Sequence, residues 1–326
     1  MVNALGIDVA KAKLDVVLVN EPQQEHSGIF ANTPTGFEQL QRWLSQRVTG
    51  ELHACLEATG QYSDAIAEFL YQRGYTVSVV NPARIKAFAA SRLSRQKTDQ
   101  TDARLIALFC QSQRPEAWTL PPPEQRVLQA MVRHLHDLKA MRQQEQNRLT
   151  SGVSAEPVLH ALQQHIAFLD QQIADLQRQI RDHLDQHPHL KQQRDLLDSI
   201  PGLGDTTIAT LLAEVPDIRA FDSAAQLAAY AGVTPRHHRS GSSVRGRTRI
   251  SKCGNAPLRA ALYFPAMVAL RHNPIVRAFG ERLRAHGLAA KAVVVAAIRK
   301  LLHLIYGVLK SGRPFDPSFA SQVVPA

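Results

Sequence analysis

Along the first hundred residues the hydrophobic positions change period again and again. ALGIDV and LDVVLV are β-rich runs separated by the polar AKAK, the pattern of a hairpin, and HSGIFA has the composition of a third strand. Phe37, Leu40, Trp43 and Leu44 recur at helical spacing in GFEQLQRWLSQR, and Thr35 is placed to cap that helix. There follow a strand LHACLE at 52–57, a turn ATG, a helix from about Ser63 to Gln72 ended by Gly74, and a strand TVSVV ended by Asn81-Pro82. Three strands, helix, strand, helix, strand, helix is an order that suits a mixed sheet with helices on its faces.

Beyond this the period is helical. Glu124 to about Leu149 reads as one helix. After a break at Ser151–Pro157, Leu159, Leu162, Ile166, Leu169, Ile173, Leu176 and Ile180 step by three and four in strict alternation. Such a seam closes either against the preceding helix in one chain or against a second subunit. After Pro188, two short helices, RDLLDSI and TTIATLLAEV, flank PGLG. This resembles a helix-hairpin-helix, in which Gly202 and Gly204 would let backbone amides face a phosphate. An ordinary turn needing glycine for a positive φ reads the same way.

Charge changes the picture next. Lys and Arg outnumber Asp and Glu by 38 to 28, and the pI is near 9.8, which points to a polyanionic partner with nucleic acid ahead of a membrane surface. Residues 223–280 hold no acid but nine basic residues: Arg236, Arg239, Arg245, Arg247, Arg249, Lys252, Arg259, Arg271 and Arg277. Solvated faces mix both signs, so phosphate binding explains this stretch better than solubility does. The most apolar run, AVVVAAI at 292–298, is fenced by Lys291 and Arg299-Lys300 and is too short to span a bilayer, so it is expected in a core helix. MVNALGIDVAKAKLD lacks the features of a secretory leader, and a cytoplasmic protein is expected. Cys55, Cys110 and Cys253 form neither a disulfide pattern nor a zinc pattern and are expected to be structural thiols.

Candidate chemistry lies in two places. Asp8 in LGIDVAK and Glu57 in LHACLE sit near strand ends, so neighbouring strands would bring both carboxylates to one sheet edge. Asp99 and Asp102 in KTDQTDAR fall one turn apart at a helix start and share a face. Four converging acids need a neutralising cation, and hard, oxygen-seeking Mg²⁺, with Mn²⁺ as a substitute, fits them. Two such ions roughly 4 Å apart stabilise the attacking and leaving oxygens of a phosphoryl displacement. Arg92, Arg95 and Lys97 lie just upstream as candidate nucleic-acid contacts. Asp99 also reads as an ordinary first-turn acid beside a capping Thr98. The second place is RHHRSGSSVRGRTRISKCGN, residues 236–255, where Ser240, Ser242 or Ser243 among guanidiniums is placed for attack on a phosphodiester, and His237 or His238 for a base or a phosphate contact. The same composition serves a loop that only binds phosphate.

GIDVAK, CLEATGQY, VVNPARIKAFA and KTDQTDAR, with SIPGLGDTTIATLLAE, LAAYAGVTPR, HRSGSSVRGRTRISKCGNAPLRAALYFPA and IYGVLKSGRPFD, resemble the DEDD transposases of the insertion sequence 110 family, the bridge-RNA-guided recombinases. The resemblance covers nearly the whole chain. It implies a RuvC-like, RNase H-type mixed α/β catalytic domain over 1–115, a helical linker and coiled coil over 116–190, and a mainly helical transposase domain with helix-hairpin-helix and serine loop over 191–326. By motif it assigns Asp8, Glu57, Asp99 and Asp102 as metal ligands and Ser240 as nucleophile. It further implies element-end and target DNA, a structured guide RNA from the element, and a homo-oligomer, dimer or tetramer, whose sites combine two subunits. The competing readings are a metal-dependent RuvC-like nuclease in which water attacks, and a binding module without catalysis.

Overall fold

The computed structural model describes residues 2–20, 24–58, 60–92, 99–215, 217–236, 239–240, 244–245 and 249–318. The chain divides into two compact units, Met1–Leu120 and Pro121–Ala326.

In the first unit, β1 (Val2–Val9), β2 (Lys13–Asn20) and β3 (Gln24–Ala31) form an antiparallel meander, followed by α1 (Pro34–Ser45), β4 (Glu51–Glu57), α2 (Gln61–Gln72), β5 (Thr76–Val80), α3 (Pro82–Ser91) and α4 (Asp99–Gln113). The sheet order is β3-β2-β1-β4-β5, with β4 parallel to β1 and β5 parallel to β4. This is the mixed sheet with helices that the element order suggested, and it fits the RuvC-like arrangement that the family resemblance implies. The cap of α1 is Thr33 rather than Thr35: its side chain accepts from the Gly36 amide, and Pro34 supplies the preset φ of the first helical position. Proline's preference for that position outweighs the apolar periodicity, which begins only at Phe37.

Alternation along the strands sorts the side chains between two faces. Leu5 and Ile7 of β1, Leu14, Val16 and Leu18 of β2, and Leu52, Ala54 and Leu56 of β4 pack in one cluster with Phe37, Leu40 and Leu44 of α1 and Ile66 and Leu70 of α2. The opposite face carries Ala4, Val17, Val19 and Cys55, and is covered by Ala103, Ile106, Ala107 and Cys110 of α4. Gly6 lies beneath α4: a Cβ there would overlap the Ala103 carbonyl oxygen and the Ala107 amide nitrogen. The helix therefore crosses β1 at backbone contact. Cys55 and Cys110 are buried and free, whereas Cys253 is exposed.

The second unit is helical. α5 (Pro123–Thr150) and α6 (Glu156–Gln186) form an antiparallel hairpin, with Arg142 paired to Asp170 and His183 Nε2 bonded to the Glu124 carbonyl at 2.8 Å. Within the chain, α5 and its neighbours bury Ile166, Leu169, Leu176 and Ile180, while Leu159 and Leu162 near the hairpin tip are half-buried. α7 (Pro188–Asp198), α8 (Asp205–Glu214), α9 (Ala224–Tyr230), α10 (Ala256–Ala261), α11 (Tyr263–His272), α12 (Pro274–Ala285) and α13 (Ala290–Ser311) complete the unit. Residues from α5 and α6 share one core with those from α7 through α13, so the helical segment of 116–190 packs largely within the second unit.

The AVVVAAI run belongs to the 22-residue α13, which by length and apolarity reaches that of a membrane span. Val293, Ala297, Ile298, Leu301, Leu302, Ile305 and Val308 of α13 are buried in the second unit's core, as in a core helix of a folded domain.

Candidate active site

Four elements converge at one end of the first unit's sheet. In the β1–β2 hairpin Asp8 stands opposite Asp15, and in the parallel β1–β4 pair the last partners, Ile7 and Leu56, are each followed by an acid, Asp8 and Glu57. By alternation, Asp8 lies on the same face as Ala4 and Gly6, the face that α4 crosses. Asp15 and Lys13 share parity with Val17 and Val19, and Glu57 with Cys55, so all of them belong to this face. The first turn of α4 adds Asp99 and Asp102. Backbone contact at Gly6 lets a helix start so close to the strand ends.

The electrostatics follow from this crowding. Burial and then the charges of Asp102, Asp99, Asp15 and Glu57 push the Asp8 carboxyl up to about 6. Lys13 answers them: its Nζ donates to Asp99 Oδ2 at 2.7 Å and lies 3.0 Å from Asp15 Oδ2. These two contacts, with Asp99 the stronger, hold the ammonium well above its ordinary range. Nearby, Arg104 on α4 makes a bidentate pair with Glu25 on β3, tying α4 to the edge strand.

All four sequence-assigned carboxylates thus belong to one cluster. Asp15 and Lys13 were missed. The signal was available: once the turn is set at Ala10–Ala12, hairpin register places Asp15 opposite Asp8. Among the described residues, no three His, Cys, Asp or Glu side chains form a ready-made metal chelate. The donor set is nevertheless the all-carboxylate kind that suits a hard divalent cation, and Lys13 sits as a positive charge among the acids.

The raised Asp8 value has a testable sign. Between 3.8 and about 6, the folded protein holds a proton that the unfolded chain has released, so stability falls as pH rises through that window. In chelator, wild type is therefore expected to melt higher at pH 5 than at pH 7.5. Asp8→Asn is expected to reduce that difference and to raise the melting temperature at pH 7.5. Thermal melts of both proteins at the two pH values check this; equal pH dependence would remove Asp8 from the centre of the repulsion.

The basic segment lies in the second unit. Pro235–Arg236 pairs with Arg249–Ile250 and, farther out, Arg239–Ser240 pairs with Val244–Arg245, so Ser240 is the last ladder residue before the tip, opposite Val244. His237, His238, Ser242, Ser243 and Arg247 lie outside the described residues, as do Arg95 and Lys97. The base of this loop is firmly held. Asn255 Nδ2 donates to Glu214 Oε2 at 2.7 Å, its Oδ1 caps α10, and the Tyr230 hydroxyl donates to the Glu214 carbonyl. Gly254, at φ +140°, fits against the Tyr230 carbonyl where a Cβ would overlap.

The other basic candidates divide. Lys252 is exposed, and Arg92 is exposed with its guanidinium over the Phe88 ring. Arg259 is half-buried and spends one N–H on the Ala231 carbonyl. Gly202 has a packing reason to be glycine: φ is +107°, and a Cβ would meet Ala269 at 2.9 Å. Asn273 donates to the Pro201 carbonyl from the same side. Gly204 is exposed at the N-cap of α8.

A carboxylate cluster at the strand ends of a mixed sheet, joined in one chain to a strongly basic helical unit, defines an acidic-site enzyme of nucleic-acid phosphoryl transfer. Comparison with known proteins gives the family. Residues 5–155 match the DEDD transposase family of insertion sequence IS110, and residues 194–281 match the family described as Transposase IS116/IS110/IS902. The chain is 33% identical over 315 residues to the pilin gene-inverting protein of Moraxella bovis, covering 96% of this chain and 97% of that one. It is 25% identical over 304 residues to a probable family 20 transposase of Pseudomonas aeruginosa, covering 82% of this chain and 84% of that one. With the insertion element IS110 uncharacterized 43.6 kDa protein of Streptomyces coelicolor it shares 30% identity over 159 residues, 49% of this chain and 38% of that one. The chain belongs to the IS110 family of transposases and recombinases, enzymes that bind, cleave and rejoin DNA and depend on divalent metal.

Proposed function

We propose that this protein cuts and rejoins insertion-element ends and target DNA, with the carboxylate cluster and Ser240 acting together and a structured RNA from the element selecting the sites. The observation that carries the reading is the convergence on Asp8 of Asp102, Asp99, Asp15 and Glu57. Asp8, Glu57, Asp99 and Asp102 would hold Mg²⁺, or Mn²⁺ in its place. The bound cation would supply charge neutralisation for the phosphate in an otherwise repulsive site.

The chain's own groups do the rest. The Ser240 hydroxyl oxygen forms a bond to phosphorus while the bond from phosphorus to the deoxyribose oxygen breaks. The displaced strand leaves as a hydroxyl, taking up the proton that serine gives away. A hydroxyl of the new strand then attacks the phosphoserine, restores a phosphodiester and returns the serine. The number of phosphoester bonds is unchanged, so rejoining needs no outside energy source. Arg236, Arg239, Arg245, Arg247, Arg249 and Lys252 would bind DNA or RNA phosphates along the loop, and Arg92, Arg95 and Lys97 would do so beside the carboxylates. The working form is a homo-oligomer in which the carboxylates of one subunit serve the serine loop of another, and the protein works in the cytoplasm, where its DNA is.

The alternative is hydrolysis by water at the carboxylates, with the loop as a phosphate clamp. The Moraxella relative's name, describing inversion of a pilin gene, favours rejoining. A denaturing gel with labelled element-end DNA, the flanking RNA and Mg²⁺ decides between them. A covalent protein–DNA adduct is expected with wild type and none with Ser240→Ala. Cleavage without adduct, equal in both proteins, would establish the nuclease.

A further inference from the structure

We propose that Lys13 is a resident competitor of the divalent cation: its ammonium holds the carboxylate cluster together in the metal-free enzyme and gives up Asp99 when a cation binds. The inference rests on the reading that these carboxylates hold the metal. Three observations carry it. Lys13 Nζ reaches two acids from two elements, Asp15 Oδ2 on β2 at 3.0 Å and Asp99 Oδ2 on α4 at 2.7 Å. The two contacts differ in depth: the Asp15 side chain is 7% exposed and that of Asp99 is 59% exposed. The acids set against this ammonium, Asp99 and Asp15, are both among those that crowd Asp8.

From these the direction follows. A buried carboxylate stripped of its counter-ion is costly, whereas an exposed one is readily rehydrated. Asp15 therefore keeps Lys13, and Asp99 is the contact that opens. Part of the cluster's charge is already met by an ammonium lying between Asp15 and Asp99. A divalent ion entering the cluster must displace that ammonium from Asp99 and then tolerate it nearby on Asp15. Lys13 accordingly lowers cation affinity while it steadies the empty site. It acts through the carboxylates, as a positioning residue.

Calorimetric titration of the full chain with MnCl₂, without nucleic acid, tests this apart from activity. A charge within 4–6 Å changes a carboxylate's proton affinity by about tenfold or more, and a similar effect is expected for a cation. Lys13→Met is expected to bind Mn²⁺ at least about tenfold more tightly than wild type and to melt lower in chelator at pH 7.5. Lys13→Arg should stay near wild type in both measurements. Should Lys13→Met fail to fold, Lys13→Gln keeps an N–H donor for Asp15 without the charge and makes the same prediction. Affinity unchanged or weakened in the neutral variants, with wild type binding Mn²⁺ and Asp102→Asn not, would overturn the role of Lys13 and leave the metal site standing. No binding by wild type would overturn the metal site itself, and this inference with it.

Discussion

Asp102→Asn is expected to lower DNA strand cleavage by well over a hundredfold while changing DNA affinity by no more than a few-fold. The substitution keeps the side-chain volume and hydrogen-bonding reach at the start of α4 but removes one negative charge from the cluster. An amide is a poor ligand for a hard cation, and even outer partners of metal ligands typically cost about 10- to 100-fold when lost, so a ligand itself should cost more. Binding has a different origin. On the proposed function it resides in the basic residues of the second unit, and deleting an acid from a site that would face phosphate can only help them. Asp102 heads the charges that raise the Asp8 carboxyl, so the variant should also let Asp8 ionise more readily. Cleavage and filter-binding measurements on the same preparation check the pair of effects. Parallel loss of both would mean that Asp102 serves folding or DNA contact rather than the metal.

Gly6→Val is the second large effect, and it acts without touching any charge. Valine is a better strand residue than glycine, so on propensity alone the substitution should stabilise β1. The structure reverses that expectation, because its Cβ would overlap backbone atoms of Ala103 and Ala107, which no rotamer change relieves. Relief requires α4 to move outward. Overpacking of this kind costs about 1–3 kcal/mol or more, and the shift would carry Asp99 and Asp102 away from Asp8 and Glu57. The expected result is a lowered melting temperature together with cleavage reduced at least about a hundredfold, since misplacing a catalytic group by about 1 Å suffices for that. Full activity in a Gly6→Val protein would mean that α4 need not touch β1 for the carboxylates to function.

The two predictions mark where the chain's own pattern stops being informative. Apolar alternation in β1, β2 and β4 and the helical spacing of Phe37, Leu40 and Leu44 are local signals, and the elements they indicated are those observed. Acid spacing at Asp99 and Asp102 is local too, because one helical turn puts both on one face whatever surrounds them. Strand-end positions pointed to Asp8 and Glu57, and the family resemblance added Ser240. Local reasoning failed at the cap of α1, where proline chemistry at Pro34 outweighed the apolar count. It was also ambiguous at Gly202, whose packing partner Ala269 lies 67 residues away in the chain.

By itself, the sequence determined the order of elements, the acids at their ends, the basic loop and the family, since each is written in neighbouring residues. Only the tertiary structure decided that α5 closes much of the α6 seam within one chain, that α4 crosses β1 at Gly6, and that Lys13 and Asp15 join the site. The physical reason is common to all three. Register, face and close approach are properties of pairs of segments, set by which backbones meet, and a single segment carries no mark of its partner.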